Sequence, residues 1–369
     1  MTWKVRFIDY PAQFEKMEGD LMDCIKEVLS RGDLMLRQQL RDFEENLAAF
    51  LGARYAVGTS NCTDAMHLSL RAAGVGPDDE VITVSHTFVA TAAAIHHAGA
   101  TPVLVDIGDD HNMDAERIEE AITDRTKAIM PVHLNGRLCD MGRVMEIAEG
   151  RGLIVIEDSA QALGGSFREK KGGDWGLAGC FSFYPAKLLG AYGDAGAAVT
   201  NDEAMAEKIR RLRDHGRMPG GEMSGWSFNC RMDNLQAAIL DLKLKRVPSW
   251  IERRREIGAI YHERLSGLPQ LFLPPPPSRD STYFDVFQNF EIEADDRDRL
   301  KEYLEENGIE TFVQWGGKGV HQFGELGLTH HRLPRTDRMF ERSLLLPMHC
   351  ELADDQVAYV SDCIQRFYK

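Results

Sequence analysis

Residues 153–161, LIVIEDSAQ, and 180–187, CFSFYPAK, decide the fold. In the first, apolar residues run without a polar break into Glu157 and Asp158. That is the pattern of a strand buried on both faces that gives out into a loop. In the second, a strand signal ends at Ser182 and leads to Lys187 within YPAKLLGAYGDAG, a segment of small, aromatic and turn-forming residues. Polar groups gathered at the carboxyl ends of buried strands are the mark of an open parallel sheet with its active site there.

Working outward, short apolar runs alternate with amphipathic stretches from about residue 36, which predicts an α/β fold. LRQQLRDFEENLAAFLGA reads as a helix ending at Gly52, followed by a strand at YAVG, a turn at SNCT and a helix through DAMHLSLRAAG. EVITVS, TPVLVDI, KAIMPVHL, GLIVIED, GCFSFY and GAAVTN are further strands, with FVATAAAIHHAG, DAERIEEAI and DMGRVMEIAEGRG as helices. The sheet is expected to be mostly parallel and covered on both faces. One long helix is expected over 233–268, bent near Pro248. The prolines at 274–277 mark a linker. TYFDVFQNFEIE and ETFVQW then read as strands around a helix, and ADDQVAYVSDCIQRFY as the last helix. The organisation expected is a large domain over 1–247 and a smaller α+β domain over 248–369, the long helix spanning the boundary.

The formal net charge of −15 repels phosphate backbones and argues against a nucleic-acid partner. Seven scattered cysteines with no Cys-x-x-Cys pair fit a reducing cytosol and give no zinc or redox motif. The opening MTWKVRFIDYPAQFEK lacks the apolar core of a signal peptide, and no apolar run reaches membrane-spanning length. The reading is a soluble, cytoplasmic protein with no membrane partner. His96-His97 and His330-His331 have no partner spacing for a metal, so none is expected.

Lys187, Asp158 and the turn Ser60-Asn61-Cys62-Thr63 carry the chemistry. A lysine kept from solvent by small and aromatic neighbours loses proton affinity, which an imine-forming amine requires. Asp158 sits at a strand's carboxyl end, and the turn opens a helix whose N–H groups suit a phosphate. Pyridoxal 5'-phosphate (PLP) demands such a lysine, a carboxylate for its ring nitrogen and an anion cradle. Singly, these residues read equally as a solvated lysine, a surface acid and a helix cap. Their order along one sheet joins them.

That order, with the motifs SNCTDAMHLSL, SHTFVATAAAI, PVHLNG, IEDSAQALGG, FSFYPAKLLGAYGDAGA and SFNCRMDNLQAAIL, resembles the DegT/DnrJ/EryC1/StrS family of nucleotide-sugar aminotransferases from about Phe7 to the C-terminus. The resemblance implies PLP fold type I, the aspartate-aminotransferase-like architecture. It makes Lys187 the cofactor-holding lysine and proton shuttle, and Asp158 the partner of the ring nitrogen. Gln161 would lie near the ring substituents and Phe88 would stack on the ring. Ser182, Thr63 and the Asp64 amide would hold the phosphate. Asn229 would reach the phosphate from a second subunit, which implies a homodimer with shared sites. Tyr184, Arg231, Trp315 and His321 are the candidates for substrate contact. Cys62, Asn135-Gly136-Arg137 and Gln314-Trp315 depart from the more usual residues, the last two in regions that face substrate.

The implied reaction moves an amino group from L-glutamate to a nucleotide-linked keto-6-deoxyhexose. Tyr184 and the segment 190–194 favour C-3 over C-4, in the biosynthesis of glycan, O-antigen or natural-product amino sugars. Two other readings are a PLP-dependent sugar dehydratase of the same fold, which resembles this family with histidine in place of the lysine, and a non-catalytic ligand-binding regulator.

Overall fold

The computed structural model describes residues 3–278 and 282–369. The expected strands form as β1 (Tyr55–Thr59), β2 (Glu80–Val84), β3 (Thr101–Val105), β4 (Thr126–Ile129) and β5 (Ile154–Asp158). A small hairpin, β6 (Ser166–Phe167) and β7 (Lys170–Lys171), precedes β8 (Ala178–Ser182) and β9 (Gly196–Thr200). Seven of these make one sheet in the order β1-β9-β8-β5-β4-β2-β3. From β8 to β3 every pairing is parallel, and β9 runs antiparallel to both neighbours. The sheet is therefore mixed but mostly parallel, as expected.

Period-two alternation sends each strand's side chains to two different cores. Val57, Cys180 and Ala198 pack with the helices Cys62–Ala72, Ala90–His97 and Glu203–Arg213. Their neighbours Ala56, Phe181, Ala197 and Val199 pack with Gln38–Leu51 and Asn234–Leu244 on the opposite face. The first of that pair ends where expected, Gly52 closing it in the left-handed conformation.

The C-terminal part departs from the sequence reading in four places. The single long helix is two, Asn234–Leu244 and Val247–Leu265. Pro248 lies in the first turn of the second, where its missing N–H would have had no intrahelical partner. TYFDVFQNFEIE splits into β11 (Tyr283–Phe284), which extends the small hairpin, and β12 (Phe290–Ala294). Between them Phe287 adopts φ +48°. β12 instead joins β10 (Leu271–Phe272) and β13 (Ser343–Leu346), the last a strand not read from sequence. ETFVQW makes one bridge, Phe312 to Leu345, before a tight turn in which Trp315 takes φ +49°.

Upstream, DAERIEEAI yields a 3₁₀ turn, Ala115–Arg117, and the single helical turn Ile118–Ala121. Two helices ahead of residue 36, Tyr10–Glu15 and Glu18–Arg31, were not read either. The chain's start also reaches the C-terminal core: Val5 bridges Ile309 and packs with Tyr261, Phe290 and Ile364.

Candidate active site

β5 ends at Asp158, and the parallel packing of β4 continues past its own end to meet it. The Asp158 amide donates to the Pro131 carbonyl at 2.9 Å, and the His133 amide donates to the Asp158 carbonyl at 3.0 Å. The carboxylate is buried. It accepts the Thr91 hydroxyl at 2.7 Å and the Ala160 amide at 3.1 Å. Thr91 Oγ1 also lies 2.6 Å from Thr87 Oγ1. A hydroxyl has one proton, so Thr91 gives its own to Asp158 and accepts that of Thr87. Burial pushes the Asp158 carboxyl up, while Thr91, the Ala160 amide and the charge of Lys187 oppose the rise.

Lys187 sits in the loop between β8 and β9, and that loop is tied on several sides. The Phe183 carbonyl accepts the Ala191 amide at 2.8 Å, and the Lys187 amide donates to the Tyr184 carbonyl at 2.8 Å. Gln288 grips the loop from the C-terminal part, accepting the Leu188 amide and donating to the Ala186 carbonyl. The buried ammonium of Lys243 donates to the Gly190 carbonyl. Gly190 itself packs on Pro185, where a Cβ would fall 2.3 Å from the carbonyl oxygen. Desolvation lowers the Lys187 ammonium, and the charge of Asp158 pulls it back only in part. A desolvated amine within electrostatic reach of a buried carboxylate is a candidate functional pair.

Beside this pair lies the anion cradle. After β1 the chain turns through Ser60 and Asn61 into the helix Cys62–Ala72. Asn61 caps it, its Oδ1 accepting the Asp64 amide at 2.8 Å. The Asp64 carboxylate in turn accepts the Ser60 hydroxyl and Asn61 Nδ2. The Asp64 amide thus serves the cap, and the amides of Cys62 and Thr63, at the first helical positions, are the ones directed out of the helix start. Gly196 pairs with both Thr59 and Ser182. A Cβ there would lie 2.3 Å from the Asn61 carbonyl carbon and 2.5 Å from the Cys62 nitrogen. Glycine therefore lets the turn sit against β9, with the Ser182 hydroxyl at the end of the adjoining strand.

The other sequence candidates are placed as follows. Gln161 Oε1 accepts the Asn135 amide at 2.8 Å. Phe88 and Tyr184 are both 55 % exposed. Asn229 is exposed in a segment that bridges Asp214, and Arg231 binds the Asp214 carboxylate at 3.1 Å. Trp315 packs edge-on to His86 and Phe340. His321 is buried between Ser85, 2.6 Å away, and Asp337, 3.0 Å away. The single chain thus gathers Lys187, Asp158, Ser182, Thr63 and the Cys62 turn, while Asn229 and Arg231 stand with Asp214. Thr87, Thr91 and Glu291 escaped the sequence reading, and Asn135 entered it only as part of a departure in a substrate-facing region. The available signals were the i, i+4 threonines ahead of a helix and an acid inside the apolar run FEIEA.

The family model for the DegT/DnrJ/EryC1/StrS aminotransferase family matches residues 15–365. The chain belongs to that family. It is 40% identical to the "Pleiotropic regulatory protein" of Geobacillus stearothermophilus, over 99% of both chains. It is 39% identical to the UDP-N-acetyl-3-dehydro-alpha-D-glucosamine 3-aminotransferase of Acidithiobacillus ferrooxidans, over 98% of this chain and 97% of that one. Among solved structures, that of S. venezuelae DesV in complex with a ketimine intermediate superposes with a TM-score of 0.95 at 36% identity, covering 100% of this chain and 99% of the other.

This family member is a PLP-dependent aminotransferase. The residues present fit the cofactor: a desolvated lysine, a buried carboxylate with lone pairs beyond its two donors, and a helix start beside a serine hydroxyl. Lys187 would hold it, Asp158 would face the ring nitrogen, and Ser182 with the Cys62–Thr63 turn would take the phosphate.

Proposed function

We propose that this enzyme transfers the amino group of L-glutamate to C-3 of a nucleotide-linked keto-hexose, the 6-deoxy sugars among them. The observation that carries the reading is the desolvated Lys187 amine within electrostatic reach of the buried Asp158 carboxylate, whose side-chain oxygens accept from only two donors among the described residues. When bound, PLP supplies the electron sink and the amino carrier. Burial lowers the Lys187 ammonium, which favours the neutral Nζ needed to take a proton from the donor's Cα and return one to the acceptor carbon. An ionised Asp158 would hold a positive charge at the cofactor's ring nitrogen, with Thr87 and Thr91 keeping its Oδ2 directed. The helix start and Ser182 fix the phosphate so that the reacting carbons stay within reach of Lys187.

The choice of a nucleotide sugar and of C-3 is supported by the name of the Acidithiobacillus relative and by Tyr184 in the lysine loop. Asn229 stands exposed, consistent with the expected second subunit that would bring it to a neighbouring phosphate cradle. A regulatory role is favoured by the names of relatives such as that of Geobacillus, and the retained lysine–aspartate pair favours catalysis.

The test is incubation with L-glutamate and a panel of 3-keto and 4-keto nucleotide sugars, with and without the 6-hydroxyl. Products are identified by mass spectrometry and 2-oxoglutarate is quantified. Stoichiometric 2-oxoglutarate with amination of the 3-keto sugars is expected. Amination of 4-keto sugars alone would refute the regiochemistry, and failure to release 2-oxoglutarate would refute the donor.

A further inference from the structure

A chain of half-buried amides runs from Gln161 to a buried carboxylate on the C-terminal sheet. Glu291, in the middle of β12, is 1% exposed. Its Oε2 lies 2.6 Å from Asn135 Nδ2 and 3.4 Å from His86 Nε2, and its Oε1 accepts Gln314 Nε2 at 3.1 Å. Asn135 Oδ1 accepts Asn289 Nδ2 at 2.9 Å. Gln161 Oε1 accepts the Asn135 backbone amide at 2.8 Å and Asn289 Nδ2 at 3.3 Å.

Side-chain amides have two faces, and the donor inventory orients each of these in turn. A carboxylate only accepts, so the atom of Asn135 beside Glu291 is its NH₂, and its oxygen points to Asn289. Asn289 must then present its NH₂. A backbone N–H only donates, so Gln161 turns its oxygen toward Asn135. Its own NH₂ is then left uncommitted among the described residues. Glu291 is the charged origin of this order. Burial alone would raise its carboxyl, but His86, His111 and the Asn135 amide hold it at about 2, so it stays ionised. Asn135 adopts φ +56° and ψ 11°, a left-handed conformation that asparagine tolerates better than most residues, and this aims its amide at Gln161.

We infer that Asn135 and Glu291 are positioning residues, which set Gln161 with its NH₂ toward the bound cofactor and tie that orientation, through Gln314, to the turn carrying Trp315. The inference rests on the proposed function only in taking Gln161 to face the cofactor. It assigns a role to Asn135, one of the positions at which this chain departs from the pattern it resembles.

The test uses the full-length protein, stripped of cofactor and titrated with PLP, with the visible band of the lysine-linked cofactor as the signal. Asn135→Gly keeps the left-handed backbone and removes the side chain. Glu291→Gln replaces an all-acceptor group with one that must also donate. Each is expected to raise the PLP dissociation constant about tenfold, the scale of one lost hydrogen bond to a charged group. Each should also speed hydrogen exchange of the residue-135 amide in the cofactor-free protein. The double variant Asn135→Asp with Glu291→Gln reverses one donor–acceptor pair. It is expected to bind more tightly than Asn135→Asp alone, which sets two carboxylates against each other. A merely space-filling role would give no such rescue.

Unchanged affinity and exchange in both single variants would overturn the inference. So would normal PLP binding by Gln161→Ala, which would leave the aminotransferase reading intact. Failure of the parent protein to bind PLP would overturn both.

Discussion

Glu157 and Asp158 leave the same strand on opposite faces, and the chain surrounds them differently. Glu157 is fully buried and saturated. Its Oε2 accepts His133 Nε2 at 2.9 Å and the Gly173 amide at 2.7 Å, and its Oε1 accepts the Trp175 and Gly176 amides, both at 2.8 Å. The Cys139 amide donates to His133 Nδ1, so the histidine's proton sits on Nε2, directed at Glu157. Asp158 has two donors, and Lys187 is among the groups that act on its charge. A carboxylate whose lone pairs are all taken anchors loops. One left partly open, with a desolvated amine across from it, is free to meet a ligand. Two adjacent acids on one strand thus divide structure from chemistry.

The contrast can be broken most severely at the chemical face. Lys187→Ala should cut turnover on the order of 10³-fold or more while the fold survives, as judged by steady-state assay and circular dichroism. Multiple turnover near the parent rate would remove Lys187 from its assigned role. On the structural face, Glu157→Gln sets an NH₂ group against N–H donors. Urea denaturation should show a loss of about 3 kcal/mol. A stability change under about 0.5 kcal/mol would deny Glu157 its anchoring role.

Thr91→Val sharpens the comparison. It strips Asp158 of one of two donors, so its carboxyl, already raised by burial, should rise further. The other groups acting on it are the Ala160 amide, Lys187 and His133. In the proposed role Asp158 must be ionised to hold the ring nitrogen's charge, so the acid limb of the pH–rate profile should move to higher pH. A limb that stays put or moves down would show that Thr91 does not act on Asp158.

The smallest effect is on stability. Lys187 has a folded-state pKa below its ordinary 10.5. Between those two values the unfolded chain holds a proton that the folded one does not, so stability of the cofactor-free protein should rise with pH across that window. Below the folded-state value the full cost of the buried ammonium is present. Lys187→Met should therefore be more stable than the parent near neutral pH and should lose that alkaline rise. An identical slope in both proteins would show that Lys187 is not desolvated.

The sheet was legible because its strands are apolar on both faces, a pattern that water forces on any buried parallel strand. Lys187 and Asp158 were legible because each follows such a strand directly. Thr91 and Glu291 were not, and Asn135 was legible only as a departure in a substrate-facing loop, since each gains its contacts from partners distant in sequence. The same reason hides β13, whose four residues pair with β12 more than forty positions away. It also made Phe290–Ala294 look continuous with Tyr283–Phe284, because nothing local announces that Asp285 turns to Arg137 and Gln288 to the lysine loop.

The most direct measurement of the central claim is borohydride reduction of the PLP-loaded protein, followed by proteolysis and peptide mass spectrometry. A reduced cofactor tag on the peptide containing Lys187, absent after Lys187→Ala, is the expected result. A tag on a different lysine, or none at all, would contradict it.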